Sequence, residues 1–169
     1  MVYTYIMDLT KVVNNFIEEA DCLTIISHLE KLILTGDVTI RDDGRIGVIN
    51  RKDEVFDSLV EKYKNKTIEM FDDEFKYFSG YIATKYMPGV GMSTHIDSQV
   101  GEEMGALMYL NDDYDGGELT YTDPEGNLKT IKPKTGDMVY CPSWYPHGVN
   151  KVTKGIRYFF TVSLLNHPM

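Results

Sequence analysis

The chain has 169 residues, a formal net charge of −9 and an apolar share of 43%. This length suits one domain with a buried core, and the composition is that of a folded globular protein. A chain this acidic is poorly suited to a phosphate backbone, and no apolar run is long enough to cross a bilayer. We therefore expect a globular domain that binds neither nucleic acid nor a membrane.

The N-terminal residues and the cysteines bear on the compartment. Residues Met1 to Asp8 lack the basic start and apolar stretch of a signal peptide, so we expect a cytoplasmic protein. Cys22 and Cys141 fit no zinc-binding spacing. Both are expected to be reduced and buried, and a disulfide between them is the less favoured alternative.

Two helices and a hairpin are predicted in the first half of the chain. Apolar residues recur every three or four positions from Glu18 to Leu34, and again from about Asp53 to Lys64, as on one face of a helix. Gly36 suits the C-terminal cap of the first helix. Between the helices, Val38 to Ile49 is predicted to be a β-hairpin that turns at Asp43-Gly44.

Beyond about Phe75 the pattern changes to short strands separated by turns rich in Gly, Pro and Asp. The eight predicted strands are Phe78–Tyr86, Thr94–Asp97, Ala106–Leu110, Glu118–Thr122, Lys129–Ile131, Asp137–Cys141, Gly148–Lys151 and Arg157–Leu165. Such a series is typical of a sandwich or jelly roll. We predict one domain over residues 1–169, mainly β, in which N-terminal helices (about 1–75) support a jelly-roll core (about 76–166).

The last predicted strand has two different faces, because successive side chains of a strand alternate in direction. One face is apolar and consists of Ile156, Tyr158, Phe160, Val162 and Leu164. The other is mixed and consists of Arg157, Phe159, Thr161 and Ser163. We expect the apolar face to pack on the helices and the mixed face to line a cavity.

His95 and Asp97 are separated by one residue, which places both side chains on the same face of an extended segment. His147 is the candidate for a third metal ligand. Two imidazoles and one carboxylate are the ligand set of non-haem iron(II) oxygenases. A single His-x-Asp pair is weak evidence, and we interpret the other histidines, His28 and His167, as hydrogen-bonded residues without a catalytic role.

Arg157 follows His147 by ten positions and opens the last strand on its mixed face. A guanidinium there could make a two-pronged contact with a carboxylate. The alternative is a salt bridge at the protein surface.

Several motifs occur together, in order, over about Tyr81 to Leu165, half of the chain. They are Tyr86-x-Pro88-Gly89, His95-x-Asp97, Tyr109-Leu110-Asn111, Gly116-Gly117-Glu118-Leu119, Pro133, Gly136, Pro146-His147-Gly148-Val149, Val152, Gly155 and Arg157. This ordered set resembles the 2-oxoglutarate/iron(II) dioxygenases of the prolyl 4-hydroxylase type. The preceding helices also resemble the support helices of that family.

The resemblance implies a fold, a metal and a reaction. The fold is a double-stranded β-helix, a jelly roll with the metal inside one mouth. Fe(II) would be bound by His95, Asp97 and His147. The implied reaction couples oxidative decarboxylation of 2-oxoglutarate, which yields succinate and CO₂, to hydroxylation of a substrate by O₂, with ascorbate as an accompanying reductant.

The resemblance also implies a co-substrate pocket. The distal carboxylate of 2-oxoglutarate would pair with Arg157 and the hydroxyl of Tyr109. Thr161, on the mixed face of the last strand, and Tyr86 are further candidates for binding 2-oxoglutarate. For Tyr86, a role as a core aromatic residue is an equal alternative.

The substrate implied is a prolyl residue in a peptide or protein. Hydroxylation of a free amino acid, a small metabolite or another protein side chain is a second interpretation. A non-enzymatic jelly-roll protein that binds or stores metal is a third, and a zinc hydrolase is a fourth. Nucleobase demethylation is disfavoured because the chain is acidic.

Some residues near the predicted metal site bear on substrate binding. Met92 stands near a place where the family often has an aromatic residue. The loops Pro88–Ser93 and Ser98–Gly105 contain glycines and are candidates for a substrate lid. Trp144 and Tyr145 could stack on a substrate chain or, at least as plausibly, pack in the core.

Overall fold

A computed structural model describes residues 7–49, 52–70, 74–99 and 101–168 of the chain. Its helices are α1 (Glu19–Thr35) and α2 (Glu54–Glu69). Its strands are β1 (Lys11–Val13), β2 (Thr39–Ile40), β3 (Ile46–Ile49), β4 (Tyr77–Tyr86), β5 (Met92–His95), β6 (Glu103–Tyr109), β7 (Asp115–Gly116), β8 (Leu119–Thr122), β9 (Leu128–Ile131), β10 (Met138–Pro142), β11 (His147–Val149), β12 (Val152–Lys154) and β13 (Arg157–Leu165).

Both predicted helices are present. Gly36 caps α1 in the left-handed conformation, with φ of 78°, and its N–H donates to the carbonyls of the last turn. Asp53 caps α2 by accepting from the N–H groups of Val55 and Phe56. The second helix runs five residues beyond the predicted end at Lys64, because Thr67 continues its buried face after a polar run that interrupts the apolar pattern.

Two sheets face each other in the arrangement predicted for a jelly roll. The larger has the order β1-β10-β6-β13-β4-β3-β2, and the smaller has the order β5-β11-β8-β9. The pairings within both sheets are antiparallel. A further two-stranded pair joins β12 to β7.

The central strand β13 confirms the prediction of two faces. Its apolar side chains join the main core, in which Phe160 packs against Tyr81 and Phe56 with ring centroids 5.4 and 5.5 Å apart. Residues of both helices, including Ile25, belong to the same core cluster. The mixed face, beginning with Arg157, lines a cavity on the opposite side of the sheet.

Some strand boundaries were predicted incorrectly. The strand expected at Gly148–Lys151 ends at Val149: β11 belongs to the smaller sheet, and the next strand, β12, begins only at Val152 and pairs with β7. Asn150 lies between them and donates its N–H to the carbonyl of Glu118. The strand predicted at Thr94–Asp97 begins and ends two residues earlier, and the short edge strand β1 was not predicted.

The predicted hairpin is formed by β2 and β3 and is attached to the edge of the larger sheet through β4. Gly44 closes the turn with φ of 88°, and its N–H donates to the carbonyl of Arg41 at 2.9 Å. The hairpin thereby carries its turn residues to the mouth of the cavity.

Both cysteines are buried and free, as expected. Burial raises the pKa of the Cys22 thiol to about 11 and that of the Cys141 thiol to about 12. Within the described ranges, no helix combines the length and apolar character needed to cross a membrane.

Candidate active site

The two candidate histidine ligands face each other across paired strands. His147, which opens β11, is directly opposite His95, which ends β5. Their ring centroids are 4.5 Å apart. Antiparallel pairing of strands far apart in sequence therefore brings the two imidazoles to one point.

Asp97 completes the group from just beyond the end of β5. Its backbone N–H donates to the carbonyl of Ser143 at 2.9 Å, which turns the chain out of the ladder. One carboxylate oxygen lies 3.2 Å from Nε2 of His95 and the other 3.2 Å from Nε2 of His147. The three potential ligand atoms all lie within 4.8 Å of one another, so a single ion could bind all three.

Backbone carbonyls orient both imidazoles. Nδ1 of His95 lies 2.9 Å from the carbonyl of Ser93, and Nδ1 of His147 lies 2.8 Å from the carbonyl of Tyr145. A carbonyl can only accept, so each Nδ1 carries the proton and donates it. In the neutral form of each ring the Nε2 lone pair is then left for a metal, which is the usual way in which a protein sets the tautomer of a ligand histidine.

The charges of the group also suit a divalent cation. The hydrogen bond from His147 lowers the pKa of Asp97, against the opposing effect of burial, so the carboxylate is ionised at neutral pH. For His147, burial lowers the pKa, but the contacts with Asp97 and the Tyr145 carbonyl outweigh it and raise the pKa. The potential ligands are therefore one negatively charged carboxylate and two imidazoles, both of which contact that carboxylate.

Arg157 lies deeper in the same cavity and is 0% exposed. Its guanidinium carbon is 4.8, 5.1 and 4.6 Å from the ring centroids of Tyr86, Tyr109 and Phe159. Its Nη2 donates to the hydroxyl of Tyr109 at 3.2 Å, while Nε and Nη1 are buried without a partner. The alternative of a surface salt bridge is therefore excluded for Arg157.

A buried cation with two unpartnered donors fits an anionic ligand. Leaving such groups unpaired costs free energy, and a carboxylate matches the forked geometry of a guanidinium. Thr161 lies four residues after Arg157 on the same face of β13. Its buried hydroxyl also has no hydrogen-bond partner. Arg157 and Tyr109 thus place polar groups where one carboxylate could receive them, and the Thr161 hydroxyl lies further along the same cavity wall.

The other sequence candidates lie further from the cavity. Tyr86 is 0% exposed, and its hydroxyl lies 4.0 Å from the sulfur of Met92. Its ring supports Arg157, a position that favours the core-aromatic interpretation. Tyr145 is 6% exposed, and the ring of Trp144 stacks on Phe75, so both are packed side chains.

The remaining histidines behave as expected. Nε2 of His28 lies 2.8 Å from the carboxylate of Asp53 in an ion pair that links the two helices. His167 makes only a local contact, with Nδ1 3.1 Å from the carbonyl of Pro168.

Two residues beside Arg157 were not singled out as site residues from the sequence. Tyr114 has a buried hydroxyl without a hydrogen-bond partner; burial raises its pKa, and the nearby Arg157 opposes that shift. Gly117 has φ of 66°, and a Cβ there would lie 3.0 Å from Cδ of Arg157 and 3.0 Å from the ring of Tyr114. A glycine at this position therefore leaves room for Arg157 and Tyr114, because a Cβ would press on both side chains.

One cavity of about 330 Å³ connects these groups. The metal-ligand residues lie at one end of it, and Arg157, Phe159 and Thr161 line its wall. Its size is at the lower end of the range for small-molecule sites.

Residues 81–163 match the family model described as the 2OG-Fe(II) oxygenase superfamily. Just under half of the chain is therefore similar to members of that superfamily. A PKHD-type hydroxylase of Gluconacetobacter diazotrophicus is 32% identical over 96 residues, which is 48% of this chain and 42% of the relative. Prolyl 3-hydroxylase 2 of Mus musculus is 46% identical over 59 residues, 32% of this chain and 8% of the relative.

A solved structure gives the same fold over nearly the whole chain. The crystal structure of a Pseudomonas putida prolyl-4-hydroxylase has a TM-score of 0.77 and 16% sequence identity, covering 95% of this chain and 94% of that one. The chain is thus similar in fold to a prolyl hydroxylase, and its matched part spans less than half of the curated relatives named above.

Replacing Asp97 with Ala should weaken binding of Mn(II), a stand-in for Fe(II), by on the order of a hundredfold or more. Loss of an outer-shell partner alone weakens metal binding by about 10- to 100-fold, and Asp97 is the charged ligand. Isothermal titration calorimetry measures the effect. Asp115→Ala, which removes an equal charge from an exposed position, is the matched control. Equal affinity in the two variants would remove Asp97 from the metal site.

Replacing Arg157 with Gln should weaken 2-oxoglutarate binding by about 2 kcal/mol or more, roughly thirtyfold, because a buried charge pair loses one partner. Binding is titrated with the Mn(II)-loaded protein, and Mn(II) affinity itself should change little. Arg157→Lys keeps the charge but loses the fork, so it should bind with intermediate affinity. If the Gln variant binds 2-oxoglutarate as tightly as the parent, another cation holds the carboxylate.

Replacing Gly117 with Ala should also weaken 2-oxoglutarate binding, because the new methyl group displaces Arg157 or Tyr114. The matched control is Gly126→Ala, where φ is likewise positive at 86° but no atom lies within 4 Å of the new Cβ. Both variants carry the same kind of backbone strain, and Gly117→Ala should lose more stability in thermal unfolding because its Cβ also meets side-chain atoms at 3.0 to 3.1 Å. The same calorimetric titration should separate them, and equal losses of 2-oxoglutarate affinity would contradict this role of Gly117.

Proposed function

We propose that this protein is an Fe(II)- and 2-oxoglutarate-dependent oxygenase that hydroxylates prolyl residues in a peptide or protein, with release of succinate and CO₂. The observation that carries the proposal is one cavity with a two-histidine, one-carboxylate group at one end and a buried, under-bonded arginine along its wall. The histidine–carboxylate group fits a metal with open coordination positions, and the buried arginine fits a dicarboxylate.

His95, Asp97 and His147 would hold the iron. Three protein ligands on one face leave three positions for other groups, two of which a 2-oxo acid could occupy. When bound, the iron supplies the activation of O₂ that couples decarboxylation of 2-oxoglutarate to oxidation of the substrate. The carbonyls of Ser93 and Tyr145 keep Nε2 of each histidine directed at that ion.

Arg157 and Tyr109 would bind the distal carboxylate of 2-oxoglutarate, and Thr161, further along the same cavity wall, is a further candidate for contact with the co-substrate. Nε and Nη1 of Arg157 and the Thr161 hydroxyl have no other partner in the described residues. Burial raises the pKa of Tyr109 to about 12, so its hydroxyl keeps its proton and can donate to a carboxylate. Phe159 and the tyrosine rings exclude water around the guanidinium, which strengthens a charge-assisted contact.

The prolyl substrate is supported by likeness rather than by a contact in the site. Relatives named as prolyl hydroxylases match in sequence and in fold. Few residues separate β5 from β6 in the sequence, which suits a peptide that enters and leaves on both sides. A free amino acid or small metabolite is the alternative, and a cavity of about 330 Å³ also suits that class.

A turnover assay tests the proposal. With Fe(II), 2-oxoglutarate, O₂ and ascorbate, proline-containing peptides should gain one oxygen atom by mass spectrometry, in step with succinate formed. Asp97→Ala should form neither product. Oxidation of free proline or a small amide, with no peptide or protein gaining mass, would overturn the prolyl substrate in favour of the small-molecule alternative. Absence of succinate with every substrate would favour a metal-binding protein without catalytic activity.

A further inference from the structure

The turn of the β2–β3 hairpin carries two arginines to the cavity. Arg41 and Arg45 line the same cavity as the metal-ligand residues, together with Asp43 between them. Both also line a smaller adjoining cavity that continues along β3 and β4, past Ile82. The hairpin therefore forms a basic margin beside the cavity.

Arg45 is held in place by its neighbours. Its Nε donates to Asp43 at 2.7 Å, and its Nη1 donates to the sulfur of Met92 on β5 at 2.9 Å. The Arg45 side chain is 17% exposed. It thus joins the hairpin to the metal-bearing strand, and Asp43 offsets its charge.

Arg41 has no such partner. Within the described part of the chain, its guanidinium makes no hydrogen bond or ion pair, and the residue is exposed. The turn has two arginines and two aspartates, but Asp42 is not among the residues that line the cavity. The residues of the turn that do line it, Arg41, Asp43 and Arg45, carry one more positive charge than negative.

Apart from Asp43, which pairs with Arg45, the acidic side chains of the cavity lie away from the hairpin. Asp97 is shared between two histidines, and Glu103 is on β6, separated from β3 by β13 and β4. Arg157 is fully buried with the donors that fit the co-substrate. The guanidinium of Arg41 is thus left for another anionic group that enters at this margin.

We propose that Arg41, positioned beside Arg45, is a specificity residue that binds a carboxylate side chain of the substrate close to the target proline. This inference rests on the prolyl function proposed above and narrows it to acidic peptide segments. Arginine is suited to this because its planar fork pairs with a carboxylate through two parallel hydrogen bonds. A partly exposed pair contributes selectivity more than overall affinity.

Peptide binding can test this without turnover. Fluorescein-labelled peptides with one central proline and Glu, Gln or Lys at each flanking position are titrated with the Mn(II)- and 2-oxoglutarate-loaded protein, and anisotropy is read. The parent should bind its best Glu peptide roughly fivefold more tightly than the Gln counterpart, and added salt should reduce that ratio. Arg41→Gln should remove the preference, and Arg41→Glu should turn it towards Lys peptides.

Lys31→Glu is the control, because it makes the same charge change at an exposed position on α1. It should keep the parental preference. The proposal is overturned if the parent shows no preference for Glu peptides, or if Arg41→Glu and Lys31→Glu behave alike. It is equally overturned if Arg41→Glu weakens 2-oxoglutarate binding and leaves peptide preference unchanged.

Mass spectrometry of the same peptides separates this inference from the proposed function. Preferential binding that depends on Arg41, without any gain of oxygen, would retain the carboxylate subsite and remove prolyl hydroxylation. Hydroxylation of Glu, Gln and Lys peptides at equal rates, with equal affinities, would retain the function and remove the subsite.

Discussion

The burial of one cation constrains the rest of this cavity. Arg157 is removed from solvent with a single side-chain hydrogen bond, to Tyr109. A charge in that position is costly unless something replaces its hydration, and three aromatic faces within about 5 Å do so in part. Rings cannot accept from every N–H, so Nε and Nη1 remain unmatched. Packing of the surrounding sheet compensates for the cost of burying these unpaired donors. An anion that accepts from them would bind favourably at this position.

Strand register sets the positions of the metal-ligand residues, just as packing sets the position of Arg157. His95 and His147 meet because β5 and β11 pair with those two residues opposite each other. A shift of one residue would turn one imidazole to the other face of the sheet. The bulge in that ladder between His147 and Val149 marks where regular pairing ends. Neighbouring carbonyls then fix the ring orientations, so the site is built mainly by backbone geometry.

Much of this arrangement was predictable from local patterns. The two-faced pattern of Arg157–Leu165 placed the core and the cavity on the correct sides, and the order of the His, Asp and Arg residues predicted which side chains would meet. What local patterns could not supply was contact between distant segments. The strand predicted at Gly148–Lys151 ends early at Val149, the separate strand β12 forms through its pairing with β7, and the edge strand β1 exists only because β10 offers it a partner. Tyr114 is noticeable in the sequence as an aromatic residue within an acidic loop. The sequence does not indicate that its side chain lies beside Arg157.

Different strands of the jelly roll supply the different charged and metal-binding residues of the cavity. The smaller sheet supplies the histidines, the central strand of the larger sheet supplies Arg157, and the edge hairpin supplies Arg41 and Arg45. Interior strands are buried on both sides, so a cation there must be held by neighbouring side chains, as Arg157 is. An edge hairpin is under no such restriction, and Arg41 can remain exposed and without a partner in the described residues. Central strands in this fold can therefore hold fixed groups that bind one small ligand. Charged residues of the edge hairpin can be exchanged with little loss of core stability.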